Sequence, residues 1–309
     1  MNKEYCFCTL AIGKSYRDCA LLLAKDLEVY APKTKLIILT DNPQCFEKQS
    51  NIRALEHQPL SCKIYNDKRF VIAKALSFYE SCIFVDANIR IKGLIPKKIN
   101  FEPGIVAYSC YSLIKNFYKE GKSDPSHKKY KLRNKMFQLS QQVCSYYNLN
   151  LENIKFIFEA IFYVTKNDRF EDFIKHWDTL ADCFELNGIY QEEGTVMGLA
   201  AAIANFPVNY DYQKKIKIFK DVLEKHKISI GQADYEQNRN YFEDLQKLEN
   251  PKYSLMQKAC KKLNKTIGFY YRLIYLKIRT LKSKKFFSNL SQISVVELKN
   301  LRFSNDNFQ

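Results

Sequence analysis

KRFVIAKALSFYESCIFVDANIRI, residues Lys68–Ile91, joins a helical pattern to a strand pattern and closes the strand with an acid. Lys68 to about Tyr79 reads as a helix, and Cys82-Ile-Phe-Val-Asp86 as a short, fully apolar strand. In open parallel sheets the carboxyl ends of strands face the ligand crevice, so an Asp in this position points at a ligand more often than an Asp elsewhere. The competing reading of Asp86 and Asn88 is a strand-end turn stabilised by Asx side chains.

Working outward toward the N-terminus, Tyr5–Ala11 is an apolar run ending at Gly13 and reads as a buried strand. Tyr16, Ala20, Leu23, Leu27 and Tyr30 share one helix face, and Pro32 stops the pattern. Lys35–Thr40 is a second strand, closed by Asp41-Asn-Pro, and Ile52–His57 a weaker third. Strand, helix, strand implies a parallel sheet with right-handed crossovers. Toward the C-terminus, Ile105–Cys110 reads as a strand. The polar stretch Lys115–Asn134, with Gly121, Asp124, Pro125 and His127, reads as a mobile loop, either a lid or a disordered insert. Helix Leu132–Tyr147, strand Phe156–Thr165, a helix carrying Phe170, Phe173, Ile174, Trp177 and Phe184, and a small-residue helix Gly194–Ala204 follow.

With 46% hydrophobic residues in 309, the chain can bury one large α/β domain and carry an appendage. No run of eighteen apolar residues occurs, and Met1–Tyr5 lacks the order of a signal peptide, so the expectation is a cytoplasmic protein, peripheral on the inner face of a membrane. Ten cysteines without CxxC spacing read as buried free thiols of a reducing compartment.

Lys68–Ile91 resembles the central signature of GT-A glycosyltransferases, in which a helix with a basic residue leads into a hydrophobic strand and an Asp-x-Asp motif. Trp177–Ala202, with Glu192-Glu-Gly-Thr-Val-Met-Gly-Leu-Ala-Ala, resembles the acceptor-side helices of bacterial members. Together the matches span roughly residues 5 to 205. The resemblance implies an α/β GT-A fold: a Rossmann-like, mixed, mainly parallel sheet flanked by helices. It implies a catalytic domain at 1–230, with a donor half to about 110 and an acceptor half beyond, and a basic helical extension at 231–309. The implied activity moves a hexose or related sugar from a nucleotide-diphosphate sugar to a glycan, lipid-linked or other hydroxyl acceptor, as in polysaccharide biosynthesis, assisted by Mn2+ or Mg2+. Such a donor leaves as a diphosphate, whose growing negative charge needs a divalent cation or fixed basic side chains.

By the same resemblance Asp86 holds the ribose or the metal, beside Ala87, and the third motif position is the direct metal ligand. Here that position is Asn88, whose oxygen brings no charge. Three outcomes stay open: a weaker metal site, a metal-free enzyme leaning on Lys74 and Arg69, or loss of catalysis. Lys74 interrupts an apolar run and must snorkel or find an anion, either a donor phosphate or Asp86 or Glu80. Thr9, Leu10 and Ala11 are expected to hold the nucleobase through backbone contacts, and Asp41 the base or ribose. Glu193 is the expected general base or acceptor-binding group, with Glu192, Glu159, Trp177 and Asp178 on the acceptor side; Glu192 and Glu193 equally suit a helix start regardless of function. His226 is either a third metal ligand or a surface histidine in Lys225-His-Lys227.

The net charge is +16, and eleven basic residues with no acid lie between Asn250 and Val296. Within Lys252–Lys285, Leu255, Ala259, Leu263, Ile267, Tyr271, Ile274, Ile278 and Leu281 form an apolar stripe, with Gly268 as a bend or break. Such a helix suits an anionic membrane surface; alternatively the stripe packs back on the catalytic domain. The rival function is a catalytically weakened GT-A-like protein acting as a membrane or polyanion adaptor. A nucleotidyltransferase is disfavoured because Ala11-Ile-Gly-Lys-Ser15 holds one glycine, and nucleic-acid binding because no recognised module is present.

Overall fold

The computed structural model describes residues 5–96, 99–118 and 129–295. In chain order they form β1 (Tyr5–Ala11), α1 (Lys14–Tyr30), β2 (Leu36–Thr40), β3 (Ile52–Glu56), α2 (Lys68–Leu76), β4 (Ser81–Val85), β5 (Arg90–Ile91), β6 (Gly104–Ala107), β7 (Cys110–Ser112), α3 (Leu113–Tyr118) and α4 (Tyr130–Tyr146). Then come β8 (Lys155–Ile157), β9 (Ile161–Thr165), α5 (Phe170–Leu186), α6 (Glu193–Ile203), β10 (Val208–Tyr210), β11 (Ile218–Phe219), α7 (Asp221–Ser229), α8 (Tyr235–Glu249), α9 (Leu255–Arg279) and α10 (Lys284–Ser291).

Seven strands make one sheet in the order β10-β6-β9-β4-β1-β2-β3. β1 pairs in parallel with β2 and β4, β2 with β3, and β6 with β10, while β9 runs antiparallel to β4 and β6. This is the mixed, mainly parallel α/β sheet flanked by helices that the GT-A reading expects. Alternation along β1 divides the core. Cys6 and Cys8 face one side with Ile37, Phe84 and residues of α2, α5 and α6. Phe7 faces the other with Ile38, Ile83 and the α1 residues Ala20, Leu23 and Leu27. Full burial of a leucine such as Leu23 contributes about 1.5–3 kcal/mol. All ten cysteines are free and seven are buried.

Two expected strands divide. Ile105–Cys110 is β6 in the main sheet and β7 in a separate ribbon with β8, and Phe156–Thr165 is β8 followed by β9. The break between β8 and β9 falls at Phe158–Ala160, which frees Glu159 from strand pairing. The expected loop at 115–134 is shorter at both ends, since α3 and α4 occupy its margins; Gly121, Asp124, Pro125 and His127 lie outside the described residues.

The sequence boundary at residue 230 does not coincide with a break in packing. Phe242 and Leu245 of α8 are buried in the same core as Phe219 and α1. α9 runs unbroken through Gly268, so the glycine does not divide the helix. Its later half is anchored: Leu276 is buried, Arg272 donates to Cys62 O at 3.1 Å, and Arg279 pairs with Asp182. α10 follows with Phe286 against Tyr146 and Leu290 in the core.

Candidate active site

Backbone pairing gathers charged side chains where β4 ends. β4 and β9 are antiparallel with Val85 opposite Ile161, so residues before β9 lie beside those after β4. Asp86 N–H donates to Ala160 O at 2.9 Å, which brings Glu159 close. α6 lies on β8 at very short range: a Cβ on Gly194 would stand 2.2 Å from Ile157 O, and one on Gly198 2.0 Å from Lys155 O. Only glycine permits that approach, and it sets Glu193, the first residue of α6, against Glu159. β11 pairs antiparallel with β5, Phe219 opposite Arg90, so Lys220 emerges beside the Asp86-Ala87-Asn88 turn. Ile89 N–H closes that turn onto Asp86 O at 2.9 Å.

Lys68 Nζ lies 2.9 Å from Glu193 Oε1, 3.0 Å from Asp86 Oδ1 and 3.0 Å from Glu159 O. Lys220 Nζ donates to Asp86 Oδ2 at 2.8 Å and to Asn88 Oδ1 at 2.7 Å. Asn88 Nδ2 donates to Glu249 Oε1 of α8 at 2.7 Å. These partners fix the amide orientation, since only oxygen toward the ammonium and nitrogen toward the carboxylate satisfies both.

Burial works against the charge of Lys68, but Asp86, Glu193 and Glu159 outweigh it and hold the ammonium above the ordinary lysine range. Burial likewise opposes charge on Asp86, and Lys220 and Lys68 keep its carboxyl below the usual carboxylate range. Glu159 goes the other way: burial, then the negative charge of Glu193, push it up to about 8. Its Oε2 is buried and accepts no hydrogen bond, which suits a neutral carboxyl. The cluster thus favours the charged forms of Lys68 and Asp86 and the neutral form of Glu159.

No protein-family model matches the chain, and no curated protein does. Among solved structures it is similar to the galactosyltransferase LgtC in complex with donor and acceptor sugar analogs, with a TM-score of 0.42 at 10% identity over 66% of this chain and 72% of that one.

The structure brings together Asp86, Ala87, Asn88, Glu159 and Glu193 from the sequence reading, and Glu192 is the adjoining N-cap of α6. Others lie elsewhere. Arg69 is fully buried, with its guanidinium on Asp178 at 2.8 and 2.9 Å, Ser61 Oγ and Asn66 O, so it forms an internal brace rather than a donor contact. Both distances run to Asp178 Oδ1, so that oxygen of Asp178, expected on the acceptor side, is taken by Arg69. Lys74 is exposed on α2 with its ammonium over the Phe78 ring, because it lies off the face shared by Lys68, Ile72 and Ala75. Trp177 is fully buried against Phe173, inaccessible to an acceptor. Thr9 and Ala11 are also fully buried and Leu10 nearly so, leaving half-buried Ile12 and Gly13 at the strand exit. Asp41 Oδ1 accepts from Gly13 N–H at 3.0 Å and from Arg17, tying β2 to the β1–α1 turn.

Lys68, Lys220 and Glu249 were not singled out by the sequence reading. For Lys68 the available signal is its place on the buried stripe of α2. For Lys220 it is the period-two continuation of buried Ile216 and Ile218.

The residues expected to hold Mn2+ or Mg2+ do not fit one. The oxygens of Asp86 and Asn88 face lysine ammoniums, and His226 is exposed on α7. Among the described residues no group of three His, Cys, Asp or Glu side chains is disposed to bind a metal ion.

Proposed function

We propose that the chain transfers a sugar from a nucleotide-diphosphate donor to a hydroxyl acceptor, working at an anionic membrane surface. The observation that carries the reading is the balanced cluster of Lys68, Asp86, Glu193, Glu159 and Lys220 at the carboxyl ends of parallel strands, where α/β sheets bind ligands. The bond between the anomeric carbon and the diphosphate oxygen breaks with its electron pair leaving on the diphosphate. The acceptor oxygen forms the new bond to that carbon, and its proton passes to the Glu193 carboxylate. Lys68 donates to Glu193 and Glu159 O and forms an ion pair with Asp86, so it acts as a positioning residue that holds base and turn in one geometry.

The membrane part is supported by α9. Leu255, Leu263, Ile267, Tyr271, Ile274, Ile278 and Leu281 are exposed, from 57% for Ile267 to 85% for Leu255, rather than packed on the body. Lys258, Lys261, Lys262 and Lys265 flank them, also exposed. Apolar side chains entering the headgroup boundary and lysines paired with anionic lipid complement that surface, each lysine contributing on the order of 1 kcal/mol. Among the described residues no helix is long and apolar enough to cross a membrane.

A thermal-shift screen against nucleotide-diphosphate sugars tests the donor reading, because a ligand bound only by the folded state raises the melting temperature by mass action. A rise for one sugar nucleotide, absent with the free sugar, is expected; no rise with any nucleotide or sugar nucleotide would remove it.

A further inference from the structure

We propose that Lys220 replaces the divalent cation at the Asp86-Ala87-Asn88 turn, so that an ammonium of the chain, and no metal, faces the diphosphate of the donor. This inference rests on the donor reading given above. Lys220 Nζ lies 2.8 Å from Asp86 Oδ2 and 2.7 Å from Asn88 Oδ1. A Mg2+ ligated by the same two oxygens would stand about 2.0–2.1 Å from each, in the gap the ammonium fills, and two cations cannot share it. The other oxygen, Asp86 Oδ1, faces Lys68 at 3.0 Å, so both sides of the carboxylate meet a fixed positive charge.

The departure from carboxylate to amide at position 88 follows from the same arrangement. One carboxylate and one amide oxygen match a single positive charge, where a divalent ion favours more anionic ligands. Glu249 Oε1, 2.7 Å from Asn88 Nδ2, would repel an aspartate there and accepts the amide instead. Asn88 is thus shaped for an ammonium on one side and a carboxylate on the other. Of the three donors on Lys220, Asp86 and Asn88 take two, leaving one for a phosphate oxygen. Its side chain is 13% exposed, so it is held but not sealed. The β5–β11 pairing that delivers Lys220 sets this charge in place before the donor arrives, which is the condition for electrostatic stabilisation without reorganisation.

The test uses the full chain. Binding of a panel of nucleotide-diphosphate sugars is measured by calorimetry in EDTA and again in Mn2+, and Mn2+ binding without nucleotide is followed by electron paramagnetic resonance. The expected result is that one sugar nucleotide binds in both buffers with affinities within about twofold, that wild type leaves Mn2+ free, and that Lys220→Gln weakens the sugar nucleotide roughly tenfold or more. Lys220→Arg, which keeps the charge, should retain binding better than Lys220→Gln, which separates a loss of charge from a loss of fold. Pairing Lys220→Ala with Asn88→Asp should create Mn2+ binding that wild type lacks. Sugar-nucleotide binding that appears only with Mn2+, or Mn2+ immobilised by the wild-type chain, overturns the inference and leaves the donor reading standing. Absence of sugar-nucleotide binding in both buffers overturns the donor reading and this inference with it.

Discussion

Lys68 Nζ and Glu193 Oε1 lie 2.9 Å apart, joining the first residue of α2 to the first residue of α6. Both side chains are almost fully buried, so neither charge has water as an alternative partner. Glu193→Gln keeps an acceptor for Lys68 while removing the base. The expected result is a transfer rate lower by about a hundred- to ten-thousand-fold with sugar-nucleotide affinity nearly unchanged. Steady-state kinetics paired with calorimetry check this, and equal losses in rate and affinity would mark Glu193 as a helix-start residue only.

The raised carboxyl of Glu159 makes stability depend on pH in a stated direction. Its folded value of about 8 lies above the ordinary value of 4.5, so the folded state keeps a proton that the unfolded state releases. The stabilisation is complete below about pH 4.5 and fades as pH rises through about 8. Urea midpoints at pH 6 and pH 9 should fall for wild type over that interval and fall less for Glu159→Gln. Asp86 works in the opposite sense, its depressed carboxyl contributing stability above the ordinary aspartate range that is lost as pH falls through its folded value. Parallel curves for wild type and Glu159→Gln would show that Glu159 titrates normally.

Gly194 and Gly198 let α6 approach β8, and their effects should differ. Gly198→Ala forces a Cβ to 2.0 Å from Lys155 O, so overpacking of about 1–3 kcal/mol is expected, read as a lower melting temperature. Gly194→Ala clashes with Ile157 O and crowds Glu159 Oε2 at 3.0 Å, displacing the neighbouring Glu193. It should lose activity beyond its loss of stability; equal stability and activity losses in the two variants would dissociate Gly194 from the site.

The exposed stripe of α9 gives the membrane prediction. Shortening the chain at Asn250 would also remove Leu276 and Leu290 from their buried sites, so point variants are the cleaner probe. Ile267→Glu with Ile274→Glu should leave the melting temperature near wild type, since both side chains are exposed, and abolish co-sedimentation with anionic liposomes. Wild type should bind anionic vesicles, release them at high salt and ignore neutral ones. Undiminished binding by the double variant would remove α9 as the docking face.

Much of the framework was legible in local pattern. Tyr5–Ala11, Leu36–Thr40 and Ser81–Val85 are apolar runs bounded by turn residues, and they are β1, β2 and β4 within a residue. The position of Asp86 at a strand end followed from the same runs. The partners of Asp86 were less visible, because they arrive through long-range pairing. Lys220 is delivered by β11, a strand of only two residues, and its period-two place after Ile216 and Ile218 does not reveal Asp86 as its partner. Lys68 looks like any lysine opening a helix until α6 brings Glu193 to it across 125 positions. Arg69 carries its charge beside the motif, and nothing local reveals that Asp178 claims it.

The central claim is that the cluster around Asp86 acts on a nucleotide-diphosphate sugar, and release of nucleoside diphosphate tests it most directly. Purified wild-type chain is incubated with a panel of sugar nucleotides, with and without candidate hydroxyl acceptors, and the product is quantified by chromatography. Wild type should release nucleoside diphosphate from one donor, faster with an acceptor present. Asp86→Asn, which removes the charge between Lys68 and Lys220 at an expected stability loss on the order of 2 kcal/mol, should release none above background while remaining folded by circular dichroism. Equal release by wild type and Asp86→Asn, or none by wild type from any donor, would contradict the account.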